Sequence, residues 1–397
     1  MFSRIDALPV YAFARLDALK AQARRDGVDV IDLGMGNPDG PTPPHIVEKL
    51  VEAVRRPHTH GYSASRGVRR LREKICEWYA KRLGVELDPE REAIATIGSK
   101  EGIGHFFLAA TGPGDTVAVP DPAYPIHFFA PHLAGARVLR LPAEGDACLE
   151  ALEAFFADGQ RIDVLLLNFP QNPSTACVGA DFFARVLLLA EKHDFFVVHD
   201  YAYADLVFDG YRAPSVLEVP EAKSRAAEFF TLSKSYNMAG WRVGFMVGCE
   251  KLISALARLQ SYYGYGHFTP VQVAAIAALE GPQDCVAEIR ETYRRRRDAL
   301  CAGLSSIGWE IPPPKATMFL WARIPENYAH LGSQGFAEKL LQEAGVAVSA
   351  GVGFGERGEG FVRMALIENE MRLRQAVRQI KTMFAQDSDK KCKRRSG

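Results

Sequence analysis

Short apolar runs rich in β-branched and aromatic residues alternate with helical patterns between residues 93 and 248. The candidate strands are AIATI (93–97), TVAVP (116–120), DVLLLNF (163–169), FFVVHD (195–200), EFFTL (228–232) and VGFMVG (243–248). Helical patterns lie between several of them, such as DFFARVLLLAEKHD at 181–194. Strands that are apolar on both faces and separated by helices are typical of a parallel sheet covered by helices on both sides.

The last third of the chain has a different pattern. EIRETYRRRRDALCAGL predicts a long helix, and MFLWARI and GEGFVRMALI predict strands of a second, smaller unit. We therefore expect a large domain at 45–275 and a small domain built from 1–44 and 276–385. The end, DSDKKCKRRSG, is charged and has no apolar period, so residues 386–397 are expected to form a disordered basic tail.

Composition excludes several classes of protein. Lys+Arg and Asp+Glu both number 48, so no net field attracts nucleic acid or an anionic membrane. No apolar run approaches the ~20 residues that span a bilayer, and the start lacks a signal-peptide core, which predicts a cytoplasmic protein. The seven cysteines contain no CxxC pair, so we expect reduced thiols rather than a disulfide framework or a zinc site.

Polar segments follow four of the candidate strands. They are GSKEG (98–102), NFPQNP (168–173), HDYAYAD (199–205) and TLSK (231–234). Each has an ordinary explanation when taken alone: a helix cap, a turn, a second cap and a solvated lysine. In open α/β sheets, however, the carboxyl ends of the strands form one edge where ligands bind. The predicted topology therefore brings the four segments together.

The chemistry of these segments is complementary. A lysine in a dry site can form a Schiff base with an aldehyde, and an aspartate can keep a pyridine nitrogen protonated. A helix N-terminus with small residues, hydroxyls and an arginine can hold a phosphate. Asparagine and tyrosine can hydrogen-bond a phenolic oxygen. Together these groups predict a pocket for pyridoxal 5′-phosphate.

Other cofactors fit the sequence poorly. GMGNPDG (34–40) and GVGFGERG (351–358) lack the GxGxxG spacing of a dinucleotide fold, so NAD is not expected. His58, His60 and His199 do not have metal-ligand spacing, and no metal is expected. His199, beside Asp200, is interpreted as a packing residue or as a supporting residue behind the site.

At this point the sequence resembles the class I/II aminotransferases of the fold-type I pyridoxal-phosphate superfamily. The most specific match is TLSKSYNMAGWRVGF, which is similar to the lysine signature of that family. HGYSASRGVRRLREKI, DPAYPIH, FPQNPST and HDYAYADLVFDG follow in the family order, and the resemblance extends from IDLGMGNPD to FVRMALIEN. Within the family, the chain most resembles the bacterial glutamate–pyruvate (alanine) aminotransferases.

The resemblance implies a large domain with a mostly parallel seven-stranded sheet, a smaller α+β domain, and a homodimer with shared sites. It also implies residue roles. Lys234 would bind the cofactor covalently and move a proton, Asp200 would pair with the pyridine nitrogen, and Tyr124 would stack on the ring. Asn172 and Tyr203 would hold the ring oxygen. The residues around the phosphate would be Ser99, Lys100, Thr231, Ser233, Arg242 and, from the neighbouring subunit, Tyr62. The substrate would be bound by Gly36, Asn172 and Arg363, with Arg363 on its α-carboxylate.

The sequence leaves the reaction partly open. The favoured pair is L-alanine and 2-oxoglutarate, and aspartate, diaminopimelate or another donor is the alternative. Arg66 is a candidate for a distal substrate carboxylate only because it lies near Tyr62. A β-lyase or a cyclopropane-forming synthase could use the same fold. A ligand-sensing regulator is disfavoured, because only about 30 residues precede IDLGMGNPD, too few for a helix-turn-helix domain with its linker.

Overall fold

Two compact units divide the chain, and the computed structural model describes residues 3–6, 8 and 12–395. The first, here called the sheet unit, comprises Gly40–Asn172 and Ala176–Arg290. The second, the terminal unit, comprises Met1–Asp39, Pro173–Thr175 and Glu291–Gly397. The domain boundaries expected from the sequence, at 44/45 and 275/276, stay a prediction.

Helices and strands alternate through most of the described residues. The strands are β1 (Ile31–Asp32), β2 (Ala93–Thr96), β3 (Thr116–Asp121), β4 (Arg137–Pro142), β5 (Val164–Leu167), β6 (Phe196–Asp200), β7 (Ala226–Thr231), β8 (Gly244–Gly248), β9 (Phe319–Arg323), β10 (Val346–Ala347), β11 (Ser349–Ala350) and β12 (Phe361–Ala365). The helices are α1 (Ser3–Asp6), α2 (Ala12–Arg25), α3 (Pro44–Val54), α4 (Arg69–Leu83), α5 (Ser99–Ala110), α6 (Pro125–Ala134), α7 (Gly145–Ala157), α8 (Ala180–His193), α9 (Leu232–Ser235), α10 (Glu250–Tyr263), α11 (Thr269–Glu280), α12 (Asp284–Ser305), α13 (Gly332–Ala344) and α14 (Glu370–Arg395).

The sheet unit contains a seven-stranded sheet with the order β2-β8-β7-β6-β5-β3-β4. Strand β8 is antiparallel to both of its neighbours, and the other pairings are parallel. The mostly parallel seven-stranded sheet expected from the sequence is therefore confirmed. Six of its strands coincide with the apolar runs identified above.

Strand β4 was not among the candidate strands. It lies at the edge of the sheet and pairs only with β3. Its sequence, RVLRLP, interrupts the apolar residues with two arginines, and only Leu141 is buried. An edge strand needs no continuous apolar run, so the criterion that found the central strands did not detect this one.

Helices cover both faces of this sheet because successive residues of its strands point to opposite sides. In β5, Leu165 and Leu167 belong to one apolar cluster, which includes residues of α4, α7, α8 and α11. Val164 and Leu166 belong to the other, with residues of α5, α6 and α10. Both faces are thus sealed, and the strand ends are left as the place where polar side chains collect.

The terminal unit has two small sheets. Strands β11, β12 and β9 form an antiparallel sheet in that order, and β1 pairs with β10 in parallel. Strands β9 and β12 coincide with the runs MFLWARI and GEGFVRMALI, so both of these strand predictions are confirmed.

The end of the chain differs from the expected disordered tail. Helix α14 continues to Arg395, well past the predicted boundary at 386, and residues 396–397 lie outside the described part of the chain. The segment adds Lys, Arg, Gln and Asp, most of which are good helix formers, to an existing helix. Asp387 also holds it in place, since it accepts a hydrogen bond from Tyr328 at 3.0 Å and forms an ion pair with Lys339 at 3.0 Å.

Candidate active site

Six parallel strands of the large sheet end at the same edge. These are β2, β3, β4, β5, β6 and β7, and the antiparallel β8 begins at that edge, with Gly244 paired to both Thr96 and Thr231. The four polar segments that follow β2, β5, β6 and β7 are therefore brought to one edge, as the predicted topology required.

The N-terminus of α5 lies against Arg242. Gly98 precedes this helix with φ 77°, and a Cβ at that position would overlap Arg242 Nη2. A Cβ on Gly244 would lie 2.8 Å from the backbone nitrogen of Ser99. The glycines thus allow a guanidinium and the start of β8 to approach the first N–H groups of a helix. Backbone donors and an arginine at a helix N-terminus are suited to an anion such as phosphate.

Lys234 lies on the short helix α9, directly after β7, and its side chain is half-buried. Thr231 begins this helix, and its hydroxyl oxygen accepts a hydrogen bond from the backbone N–H of Ser233 at 3.2 Å. The same oxygen lies 2.9 Å from Ser233 Oγ and 3.0 Å from the Val243 carbonyl oxygen. The cap therefore fixes the turn that carries the lysine and ties it to the loop preceding β8.

Asp200 ends β6 and is buried, with an exposed fraction of 6%. Its Oδ2 lies 2.9 Å from Nε2 of His127, which is also buried. Among the residues that the structure describes, no hydrogen-bond partner faces the buried Oδ1. A buried carboxylate oxygen without a donor is costly unless a ligand supplies one, and a protonated pyridine nitrogen is such a donor.

His127 was not identified from the sequence. It lies in the first turn of α6, three residues after Tyr124, whose ring contacts it edge-to-face with 6.0 Å between centroids. The run DPAYPIH contained the signal, because a histidine one helical turn from an expected stacking residue can reach the same site.

Asn172 and Tyr203 come together at the ends of β5 and β6. Asn172 Nδ2 donates to the Tyr203 hydroxyl at 3.5 Å, and both residues are buried. Asn168 supports them, since its Oδ1 accepts from the backbone of Asn172 at 2.9 Å and its Nδ2 donates to the Asp200 carbonyl at 2.7 Å. An amide and a phenol at this spacing are suited to hydrogen-bonding one ligand oxygen.

A buried carboxylate network lies behind these residues. Glu228 of β7 accepts hydrogen bonds from Tyr79 at 2.7 Å, from Ser215 at 2.9 Å and from the backbone of Val216 at 3.2 Å, and His199 Nδ1 lies 2.8 Å from it. Burial, and secondarily the charge of Glu228, raises the pKa of Tyr79 well above its usual value. His199 therefore supports the strand ends from within the sheet and does not face the edge as a ligand would.

Arg363 lies in the terminal unit, on β12, and is almost completely buried, at 2% exposure. Its Nη2 donates to the Gly34 carbonyl at 3.1 Å. Its guanidinium carbon lies 4.1 Å from the ring centroid of Phe319 and 4.5 Å from that of Phe354. A Cβ on Gly36 would lie 2.7 Å from the Phe319 ring, so glycine is required where this segment passes the ring. A buried, oriented guanidinium of this kind is suited to a carboxylate.

Three further residues predicted from the sequence, Lys100, Tyr62 and Arg66, differ in their exposure and contacts. Lys100 is exposed, and its Nζ lies 5.6 Å from the ring centroid of Tyr124. Tyr62 is 87% exposed and stacks on Tyr265, with 4.3 Å between ring centroids. Arg66 Nη2 lies 3.4 Å from the Ala93 carbonyl oxygen, and burial lowers the pKa of Arg66. The arginine is thus turned toward the sheet backbone.

Neither a metal centre nor a membrane span is found among the described residues. No group of three or more His, Cys, Asp or Glu side chains there could hold a metal ion. None of the helices in the same part of the chain combines the length and apolar character needed to cross a bilayer.

Comparison with known proteins places these features in context. A family model described as aminotransferase class I and II matches residues 28–380. The glutamate-pyruvate aminotransferase AlaC of Escherichia coli is 57% identical over 388 residues, which cover 97% of this chain and 94% of that protein. The LL-diaminopimelate aminotransferase of Moorella thermoacetica is 43% identical, with coverage of 96% and 97%. The substrate-bound structure of BacF from Bacillus subtillis superposes with a TM-score of 0.91 at 33% identity, covering 96% of this chain and 97% of its own.

Proposed function

Because the chain belongs to the class I and II aminotransferases, which are pyridoxal-phosphate enzymes, we propose that it moves the amino group between L-alanine and 2-oxoglutarate. The products would be pyruvate and L-glutamate, formed in two half-reactions that share one site. The observation that carries the choice of substrates is the 57% identity to a glutamate-pyruvate aminotransferase across 97% of this chain.

The residues at the sheet edge fit the cofactor. The orphaned Oδ1 of Asp200 matches the pyridine N–H, and the arrangement of Gly98, Ser99 and Arg242 matches the phosphate. In this proposal, Lys100, Thr231 and Ser233 complete the phosphate site, Tyr124 stacks on the ring, and Asn172 and Tyr203 hold its oxygen. When bound, pyridoxal phosphate supplies an electron sink for the charge left when the substrate Cα loses its proton.

Lys234 has two roles in the proposal. Its Nζ would hold the cofactor covalently in the resting enzyme. When released, the amine would serve as the base that takes the proton from the substrate Cα and as the acid that gives a proton back. Asp200 holds a proton on the cofactor nitrogen, and its hydrogen bond with His127 fixes the carboxylate in place.

Arg363 is proposed to bind the substrate α-carboxylate, with Gly36 and Asn172 as further substrate contacts. The α-carboxylate is common to amino acids and 2-oxo acids, so one arginine can serve both half-reactions. Arg66 stays a prediction for the distal carboxylate of glutamate, and its approach to the Ala93 carbonyl does not favour that role.

We also propose a homodimer in which Tyr62 reaches the phosphate site of the neighbouring subunit. The large exposed fraction of Tyr62 and its stacking on Tyr265 support this, because a side chain that serves another subunit must project from its own. A cytoplasmic location is proposed as well, on the sequence pattern alone, because the seven cysteines contain no CxxC pair and predict reduced thiols.

Steady-state kinetics with a panel of amino donors tests the substrate choice. With 2-oxoglutarate as acceptor, we expect kcat/KM for L-alanine to exceed that for LL-diaminopimelate and L-aspartate by tenfold or more. A preference for diaminopimelate would contradict the choice of alanine. It would favour the activity of the 43% identical relative, an LL-diaminopimelate aminotransferase. A matched reaction without any 2-oxo acid should release neither pyruvate nor ammonia from cysteine or cystathionine, and rapid release would indicate a lyase instead.

A further inference from the structure

Arg363 is held by more than its aromatic neighbours. Its position in β12 is directly opposite Ser349 of β11 in the antiparallel pair. Ser349 is also buried, at 4% exposure, and its hydroxyl donates to the Gly34 carbonyl at 2.6 Å. Arg363 Nη2 donates to the same carbonyl at 3.1 Å. One backbone oxygen therefore accepts from both side chains, which uses its two lone pairs.

The hydroxyl of Ser349 also faces the guanidinium. Arg363 Nη2 lies 3.5 Å from Ser349 Oγ, at the outer limit of a hydrogen bond. A hydroxyl has one hydrogen, and the short contact to Gly34 uses it. The oxygen is therefore an acceptor toward Arg363, and Ser349 connects the carbonyl and the arginine in one network.

The amide of Gly34, which belongs to the preceding peptide group, is held as well. Its N–H donates to Asp32 Oδ1 at 2.9 Å. The other oxygen of Asp32 lies 2.7 Å from Nζ of Lys20, which is 4% exposed. These contacts restrain the backbone at Gly34, whose carbonyl oxygen accepts hydrogen bonds from Ser349 and Arg363.

We propose that Ser349 is a positioning residue for substrate recognition, which orients the Arg363 guanidinium toward the α-carboxylate through the shared Gly34 carbonyl. The inference rests on the proposed role of Arg363 as the carboxylate ligand. Ser349 does not touch the substrate in this account. It limits the rotation of the guanidinium, so less conformational freedom is lost when a carboxylate binds.

The effect has a recognisable kinetic form. The amino acid and the 2-oxo acid present the same α-carboxylate. Loss of the Ser349 hydroxyl should therefore weaken the binding of both substrates by a similar factor. An interaction present equally in the ground state and the transition state changes KM and leaves kcat nearly constant. From the net value of one hydrogen bond, we expect KM to rise about five- to tenfold for both substrates in Ser349→Ala.

Two further substitutions at this position separate the hydroxyl from packing. Ser349→Cys keeps the size of the side chain but donates only a weak hydrogen bond, so it should behave like Ser349→Ala even if the alanine variant folds poorly. Ser349→Thr retains the hydroxyl and should keep KM within about twofold of the wild type. A cavity of about 20 Å³ borders Ser349, Phe354 and Leu16 and leaves room for part of the added methyl group.

Ser333→Ala is the matched control. Ser333 is a buried serine of the same unit whose hydroxyl donates to Glu359 at 2.8 Å and accepts from the backbone of Val352 at 3.2 Å. The Ser333→Ala variant loses a comparable buried hydroxyl, and this hydroxyl does not contact Arg363. We expect this variant to lower the melting temperature but to leave both KM values unchanged.

The experiment uses cofactor-loaded enzyme and measures KM, kcat and the affinity for propionate, a carboxylate that cannot react, by titration calorimetry. Propionate affinity should fall by the same factor in Ser349→Ala and Ser349→Cys. Unchanged KM values in both, a change for only one substrate, or an equal rise in Ser333→Ala would overturn the proposal. The KM of each variant is compared with that of the wild type for an amino acid that the wild type turns over. If the alanine–glutamate assignment is wrong, the wild type itself will lack activity with that pair, so the two failures can be told apart.

Discussion

At the scale of single residues, Asp200 is the most informative side chain. One of its oxygens contacts His127 at 2.9 Å and the other is buried without a partner among the described residues. Asp200→Asn removes the charge that holds a proton on the cofactor nitrogen, so we expect kcat to fall about 100-fold or more. Stopped-flow or steady-state kinetics measures the loss, and the absorption maximum of the bound cofactor should shift as well.

Asp194→Asn is the control for this substitution. Asp194 follows α8 and its side chain is 97% exposed, so the same chemical change there should leave kcat within about twofold. If Asp200→Asn retained near-normal kcat and an unshifted spectrum, the pairing of Asp200 with the cofactor nitrogen would be wrong.

Gly98 tests the phosphate site. Its φ of 77° disfavours other residues, and a Cβ there would displace the guanidinium of Arg242. We expect Gly98→Ala to raise the Kd for pyridoxal phosphate about tenfold or more, as measured by fluorescence titration of the apoenzyme. Gly112→Ala, after the end of α5 and in open space, should not change it. Equal affinities in both variants would contradict the assigned phosphate site.

Much of this residue-level picture was accessible from the sequence. Asp200 ends an apolar strand, Asn172 and Tyr203 follow apolar strands, and the approach of Asn172 to Tyr203 follows from the parallel topology. The run DPAYPIH places His127 near the expected stacking residue Tyr124, but its contact with Asp200, 73 residues away, could not be derived from any local pattern. Glu228 and His199 are 29 residues apart and form their contact only once β6 and β7 pair.

At the scale of elements, the Glu228 network connects the strands that carry the site. His199 of β6 lies within 2.8 Å of Glu228 in β7 and within 2.9 Å of the Phe169 carbonyl oxygen after β5. Because its neighbours are mostly donors, Glu228→Gln would bring an NH₂ group against them. We expect the free energy of unfolding to fall by about 3 kcal/mol, measured by urea denaturation.

The control for the network is Glu250→Gln. Glu250 begins α10 and is half exposed, with Arg91 3.2 Å away. Surface ion pairs contribute little, so this variant should lose less than about 1 kcal/mol. A loss of similar size in both variants would show that the buried carboxylate is not a stabilising centre of the sheet.

Within the seven-stranded sheet, strand prediction succeeded where burial is nearly complete and failed for β4, where it is partial. The central strands are apolar on both faces, which produces continuous apolar runs. Strand β4 has one buried residue, and where α14 passes the predicted boundary, Asp387 makes tertiary contacts. Neither the edge strand nor the helical tail leaves a periodic apolar signal, so both required the structure.

At the scale of the whole molecule, the proposed dimer makes a distinctive prediction. If Tyr62 serves the neighbouring site, Tyr62→Phe and Lys234→Ala impair different halves of each shared site. Each variant alone should have low activity. Subunits of the two variants, mixed under conditions that exchange them, should regain activity, because one site per hybrid dimer combines an intact Lys234 with an intact Tyr62.

Sedimentation analysis would accompany the mixing experiment. It should show a dimer for the wild type and for both variants, with hybrids detected by a size tag on one of them. Hybrid dimers without any regained activity would contradict the shared-site proposal, and a purely monomeric active enzyme would contradict the dimer itself.

The central claim is that Lys234 binds pyridoxal phosphate in an enzyme whose two half-reactions use alanine and glutamate. The most direct measurement is the visible absorption spectrum of the loaded enzyme with one substrate at a time. L-alanine alone and L-glutamate alone should each abolish the band of the lysine-bound cofactor, and pyruvate or 2-oxoglutarate should restore it. A band that responds to glutamate but not to alanine would contradict the substrate pair, and absence of any such band after addition of pyridoxal phosphate would contradict the assignment of Lys234.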